Sequence, residues 1–458
     1  MAVATTDPIR LPPAPRIPKL LLGLGFLARE SALRALARRY GSAFTLRLPI
    51  FGDVVVISDP VLIKELLTAS PDLAVRAGVL GEMFGPGSTF SLQGAAHRER
   101  RKLLVPALHG KSMQAYEAIV EEEVLRETAS WPQGREFEAL PSMLRITLNS
   151  ILRTVFGAEG TALHELRELL PPMVLLGARL AALPPIARRD MGAWSPGAKL
   201  ARYRCHYDAI IRRLIADIRN GPGLEQRTDV LTLMLRARHE DGSPLSDDHI
   251  ADELLTLLAA GHETTATALA WVIERLRRHP RLLARLTAEA DAGGSELRQA
   301  TIWEVQRTRP VIADTARTVK TRIKLGEWVI PERHVVLASI TLAHASEQSF
   351  PHAASFNPDR FIGNPPDIHT WIAYGGGVRR CIGAAYANME INVALRTLLR
   401  EFEFGTTYDR GERPHFRGVA TAPARGGRAV VFRRVTRPAV TTPASQRVSV
   451  RPGRAGAR

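Results

Sequence analysis

Cysteine is nearly absent: Cys205 and Cys381 are the only two in 458 residues. They could close one bridge at most, which excludes a disulfide framework. Long apolar runs are missing too. The run at 20–27 falls well short of the ~20 residues that a membrane-spanning helix needs. The first 16 residues are polar and proline-rich, with neither the apolar stretch nor the small-residue cleavage site of a secretory leader. The expectation is a chain with no transmembrane anchor, placed in the cytoplasm by default, with residues 20–26 as the stretch able to graze a membrane surface peripherally.

Acid is missing from the C-terminal end, where seven arginines and no Asp or Glu follow from Arg433 onward. That end holds 7 of the 16 net positive charges and leaves about +9 on the body, mild for its size. Rich in Pro, Ser, Thr and Gly, it reads as disordered. Neither zinc-finger spacing nor an RNA-binding aromatic signature accompanies the basic residues, so nucleic acid is not an expected partner. Composition is otherwise that of a globular chain, 45% hydrophobic and 24% charged, enough for a large core. No linker or repeat interrupts the middle. The expected division is a proline-rich lead-in at 1–18, a single domain at 19–435 and a basic tail at 436–458.

The pattern along that domain is mainly α with small β-sheets. Residues 30–40 read as a helix. Two β-branched runs at 44–48 and 54–58 flank Gly52-Asp53, a hairpin signal, and Asp59-Pro60 starts another helix. From about 95 to 290 the pattern is helical, broken at Pro171-Pro172, Pro184-Pro185 and Gly221–Gly223. A β-rich stretch covers 323–340, turning at 331–334, and short strands follow near Val419 and Val430. One segment, 246–280, has a capping serine, no internal proline and an apolar centre, the marks of a buried central helix. Gly261 is expected to interrupt it, and His262, Glu263, Thr264 and Thr265 follow at once.

Two constellations carry chemistry. Tyr374-Gly-Gly-Gly-Val-Arg-Arg-Cys381-Ile-Gly383 places three glycines ahead of a cysteine that opens a helix with one buried face (Ile391, Ala394, Leu395, Leu398, Leu399). A thiolate there is favoured by the helix dipole and by unpaired N–H groups. In the central helix, Glu263 and Thr264 form an acid–alcohol pair. A zinc-protease reading of His262-Glu263 fails, because Ala266 stands where the second histidine must be. Weaker patterns are set aside. Gly23-Leu-Gly25-Phe-Leu-Ala28 mimics a dinucleotide fingerprint without its acid or its βαβ setting. Cys205 is a plain thiol, and His109, His164 and His369 have no partners at ligand spacing.

Together these residues resemble the cytochrome P450 family, whose signature reads Phe-x-x-Gly-x-Arg-x-Cys-x-Gly. Tyr374, Gly377, Arg379, Cys381 and Gly383 occupy it, with Tyr374 where the family has Phe. The resemblance covers nearly all of 10–435 and looks most like soluble bacterial members of the actinobacterial kind. It implies the P450 fold, with a long central helix over haem b, and Cys381 as the thiolate ligand to the haem iron. Ala260-Gly261-His262-Glu263-Thr264-Thr265 looks like the family's oxygen-activation motif, with Glu263 and Thr264 as catalytic proton relay. His97, Arg101, Arg317 and Arg379 match the family's propionate partners, and Gly377 and Gly383 complete the cofactor loop. Glu304, Arg307 and Arg360 match its buried structural network.

The implied activity is monooxygenation: one oxygen atom from O2 enters an apolar small molecule. With only 77 residues after Cys381, too few for a flavin domain, electrons are expected from a ferredoxin and an NAD(P)H-dependent reductase. The alternatives are a peroxide-driven peroxygenase and a non-catalytic haem protein that binds gas or ligand. Pocket walls are expected at 84–90, 171–183, Leu257, Leu258, Ala259, Val311 and Ile312.

Overall fold

The computed structural model describes residues 2–18, 29–48, 52–76, 79–110, 112–181, 189–222, 224–239 and 241–434. The basic tail at 436–458, the apolar run at 20–27, Gly23 and Gly25, and Pro184-Pro185 lie outside them.

The fold is mainly α with small sheets, as expected. The largest sheet has five strands in the order Ala43–Leu48, Gly52–Ile57, Val335–Ser339, Asp314–Val319, Ala74–Arg76. Only Gly52–Ile57 and Val335–Ser339 pair in parallel. A parallel pair needs a crossover rather than a hairpin, and here the crossover is the helical body itself, residues 58–334. The sheet is buried on both faces. Val55, Ile57, Val336 and Ala338 pack with Ile63 and Leu66 on one side, and Val54, Val56, Leu337 and Phe44 with Leu33 on the other. Continuous β-branched sequence therefore forms these strands where an alternating one would not.

Three local expectations give way to tertiary structure. Gly52 and Asp53 open the second strand, paired with Leu48 and Arg47, rather than forming the turn. Arg317 lies inside the strand Asp314–Val319, ahead of the strand Ile323–Leu325. The helix Gly160–Ala181 runs through Pro171 and Pro172. Two prolines in sequence cost about 3 kcal/mol or more each by local preference, but Leu166, Leu169, Leu170 and Met173 are buried on the same helix and hold it in place. The lead-in is drawn into the fold: Val3–Ala4 pairs with Ile323–Leu325, and Thr45 Oγ1 donates to the Pro12 carbonyl (2.8 Å).

The central helix spans Asp247–Leu276, 30 residues. Ser246 Oγ accepts from the His249 N–H, and Asp247 and Asp248 suit the positive end of the dipole. Leu254, Leu255, Leu258, Ala266 and Trp271 are buried along it, and the helices Ala139–Thr154 and Ala384–Glu401 pack against it. It is not broken at Gly261. A Cβ there would stand 3.0 Å from Ile151 Cδ1, so glycine serves close approach of two helices. Leu258 is fully buried in the core rather than lining a pocket.

Candidate functional site

Cys381 sits at the end of a loop built from its own backbone. The Gly375 N–H donates to the Ile372 carbonyl (2.8 Å) and the Cys381 N–H to the Tyr374 carbonyl (2.9 Å). Gly375 and Gly377 take φ of 67° and 62°. At Gly377 a Cβ would lie 2.0 Å from the Leu67 carbonyl oxygen, so only glycine fits where the helix Pro60–Leu67 closes on the loop. The following helix, Ala384–Glu401, is capped by Gly383. The cysteine therefore precedes the helix rather than opening it. Dense surroundings push its thiol pKa up, while the Gly383 N–H, Arg101 and Arg380 draw it back. The residue is nevertheless exposed. A Cβ on Gly383 would meet nothing within 4 Å.

Tyr374 keeps its ring beside this loop and turns its hydroxyl away, accepting from Gln306 Nε2 (2.8 Å) on the helix Glu296–Thr308. That helix also carries Glu304 and Arg307, joined by two bonds of 2.8 Å, with Arg360 3.2 Å from Glu304. Arg307 further donates to the carbonyls of His344, Ala353 and Ser355.

Beside the loop, cations converge. Arg379 comes from the loop, Arg317 and Arg76 from adjacent strands in direct register, and His97 from the helix Gly94–Leu104. All four line one cavity, with the exposed Arg98 at its rim. Burial, then Arg379 and Arg317, pushes Arg76 down to about 10; burial, then Arg317 and Arg101, does the same to Arg379. His97 is pushed down to about 3 by burial and then by Arg379, Arg101, Arg76 and Arg98, which leaves it a neutral donor. Among the described residues, no carboxylate is ion-paired with any of these groups. Like charges opposed across strands are unfavourable unless an anion joins them. Arg101 faces Cys381 instead and donates to the Arg380 carbonyl (2.8 Å). Arg76 escaped the sequence reading, because only strand register brings it opposite Arg317.

Midway along the central helix lies an accessible stripe. Ala260 is exposed and Leu257, Ala259, Gly261, Glu263 and Thr264 are partly exposed, with the helix buried before and after this stretch. Positions 257, 260 and 264 share a face. Thr264 Oγ1 donates to the Ala260 carbonyl (2.7 Å). Glu263 turns a different way and pairs with Arg417 (3.3 Å); burial raises its pKa and Arg417 opposes the rise. Two acids about three turns earlier on the same helix, Asp252 and Glu253, pin the segment 84–90. The Gly87 N–H donates to Asp252 (2.8 Å) and the Thr89 N–H to Glu253 (2.7 Å), where Arg100 also pairs. This fixes Phe84 and Phe90, whose rings meet edge to face at 5.7 Å. Val311 and Ile312 are partly buried against the core. Positions 182 and 183 lie outside the described residues.

The model of the family described as Cytochrome P450 matches residues 12–427. Cytochrome P450 138 of Mycobacterium tuberculosis is 54% identical over 429 residues, covering 93% of this chain and 97% of that protein. Cytochrome P450 135B1 of Mycobacterium bovis is 37% identical over 437 residues, covering 92% of each. Among solved structures, the retinoic-acid-bound cyanobacterial CYP120A1 superposes with a TM-score of 0.81 at 22% identity, over 93% of this chain and all of that one. The haem domain of cytochrome P450DA gives 0.80 at 23%. At such identities these two likenesses speak to the fold alone.

Proposed function

The chain belongs to the cytochrome P450 family, and from that premise we propose how its residues share the work. Members are haem-thiolate iron proteins and monooxygenases, so the protein is an oxidoreductase that carries haem. Its residues fit that group. Haem brings two carboxylates, and Arg76, His97, Arg317 and Arg379 face one cavity with no carboxylate among the described residues paired to them. This uncompensated convergence is the observation that carries the reading. In it these four residues hold the propionates, the arginines by charge and His97 as a neutral donor.

Cys381 is the iron ligand of this proposal. Arg101 and the Gly383 N–H stabilise its thiolate against burial, and such hydrogen bonds tune the electron density of a ligating sulfur. Gly377 lets the loop close under the Leu67 carbonyl, and Gly383 caps the helix that follows the cysteine. When bound, the haem supplies the centre at which dioxygen is reduced and one atom passed to the substrate.

Thr264 and Glu263 act as the proton relay. A hydroxyl both accepts and donates; Thr264 rests on the Ala260 carbonyl and serves the reaction when it turns toward the accessible stripe. Glu263, beside it, is held closer to neutrality than an exposed carboxyl and so exchanges protons readily. The substrate is an apolar small molecule lying along Leu257 and Ala260, with Phe84 and Phe90 at the facing wall. Electrons come from a ferredoxin and an NAD(P)H-dependent reductase, and the mildly basic body suits an acidic ferredoxin. No helix among the described residues is long and apolar enough to cross a membrane.

The relay is tested with Thr264→Ala and any ligand that shifts the haem spin state. Product formed per NAD(P)H consumed is expected to fall about tenfold or more, since positioned proton donors contribute about 10²–10⁴, and hydrogen peroxide should rise in compensation. An unchanged yield per electron would remove Thr264 from the relay.

A further inference from the structure

Arg417 lies in the turn between the strands Pro414–Phe416 and Thr421–Pro423, closed by its own N–H donating to the Ala420 carbonyl (2.9 Å). The turn reaches inward from two sides. The Arg417 guanidinium meets the central helix at Glu263, and at Gly418 an added Cβ would stand 3.3 Å from the Ala178 carbonyl of the helix Gly160–Ala181.

The ion pair is unlike the firm ones in this protein. Arg307 grips Glu304, and Arg434 grips Asp291, through two nitrogens each at 2.8 Å. Arg417 meets Glu263 through Nε alone, at 3.3 Å. Among the described residues, Nη1 and Nη2 of Arg417 make no hydrogen bond, and its side chain stays 35% exposed against 13% for Glu263. A guanidinium presents a planar fork that fits a carboxylate through two parallel bonds, and the fork is unused. It stands beside Glu263, whose chain neighbour Thr264 lies on the accessible stripe with Ala260 and Leu257.

We propose that Arg417 anchors the substrate, and that the pocket takes apolar carboxylic acids whose headgroup displaces Glu263 from the guanidinium. The proposal rests on the pocket and relay described above. Only an ion pair is exchanged; no covalent bond forms or breaks. The headgroup gains the bidentate contact that Glu263 does not make, and its apolar chain lies along Ala260 and Leu257. Glu263, released from its cation while still buried, takes up a proton. Arrival of the substrate thus readies the acid next to Thr264, so that proton delivery follows occupancy of the pocket.

The experiment is calorimetric titration of the purified haem-loaded protein with dodecanoic, tetradecanoic and hexadecanoic acids, each beside its primary alcohol. At least one acid should bind about tenfold more tightly than its alcohol, the scale of a charge-assisted bidentate contact. Arg417→Met should abolish that preference and leave the alcohol's affinity unchanged. Glu263→Gln, which removes the competitor, should strengthen acid binding several-fold, again without effect on the alcohol. The idea is overturned by the absence of any acid preference in the wild type, by a preference that survives Arg417→Met, or by acid affinity that is unchanged or lowered in Glu263→Gln. Each of these failures would leave the ferrous–CO spectrum of the same samples as the separate test of haem-thiolate ligation.

Discussion

Replacing Glu304 with alanine is expected to cost about 3–5 kcal/mol of stability and most of the bound haem. Glu304 is fully buried and its carboxylate is shared among three partners: Arg307 through two bonds, Arg360 at 3.2 Å and the Asn357 N–H at 2.8 Å. Arg307, itself 2% exposed, would keep its charge in a low-dielectric interior with only carbonyl acceptors left. An uncompensated buried charge costs far more than the pair contributes, which is why removing one partner is worse than never having had the pair. A loss of this size is a large fraction of the roughly 5–15 kcal/mol that holds a folded domain. The damage should reach the haem, because Gln306 on the same helix holds the Tyr374 hydroxyl of the cysteine loop. Denaturant midpoint and haem-to-protein ratio measure both effects. A variant with the wild-type midpoint and full haem content would show that the network is dispensable.

Glu390→Gln is expected to act in the opposite sense, stabilising the protein at alkaline pH. Glu390 is fully buried on the helix Ala384–Glu401, and among the described residues neither of its oxygens has a hydrogen-bond partner. Ser150, the polar group nearest to relieving it, also lacks a partner in the interface with the helix Ala139–Thr154. Tyr386, a titratable side chain that interacts with it, is held neutral by its own burial. Burial pushes Glu390 up to about 8, with Ser150 opposing slightly. The sign follows from proton counting. Between its ordinary value near 4.5 and about 8, the unfolded chain has lost the proton that the folded chain keeps. Stability therefore falls as pH rises through that window and levels off above it, by a few kcal/mol at about 1.4 kcal/mol per pH unit. Glutamine keeps the shape and removes the titration. Denaturation midpoints taken from about pH 5 to about pH 8 should decline for the wild type and stay flatter for Glu390→Gln, with the variant the more stable at the upper end. Parallel profiles would mean that Glu390 ionises normally inside the fold.

The contrast between these residues explains what the sequence disclosed. The cysteine loop, the acid–alcohol pair and Glu304–Arg307 were legible because their partners lie within a few residues, where spacing alone implies shared geometry. Arg76, Arg417 and Glu390 left no local mark. Arg76 meets Arg317 through strand register across more than half the chain, and Arg417 reaches Glu263 from a hairpin 154 residues away. The errors share a cause as well. Local preference marks Gly52, Gly261 and Pro171-Pro172 as breaks, and in each case packing or pairing carries the element through. Tyr374, where the family has Phe, became interpretable only when its hydroxyl was found on Gln306 rather than near the sulfur.

The central claim is that Cys381 gives its thiolate to haem iron. The ferrous–CO difference spectrum of the purified protein, wild type beside Cys381→Ser, tests it most directly. A strongly red-shifted Soret band in the wild type, lost in the variant, is the predicted result. An unshifted band in the wild type, or a red-shifted band that survives in Cys381→Ser, would contradict it.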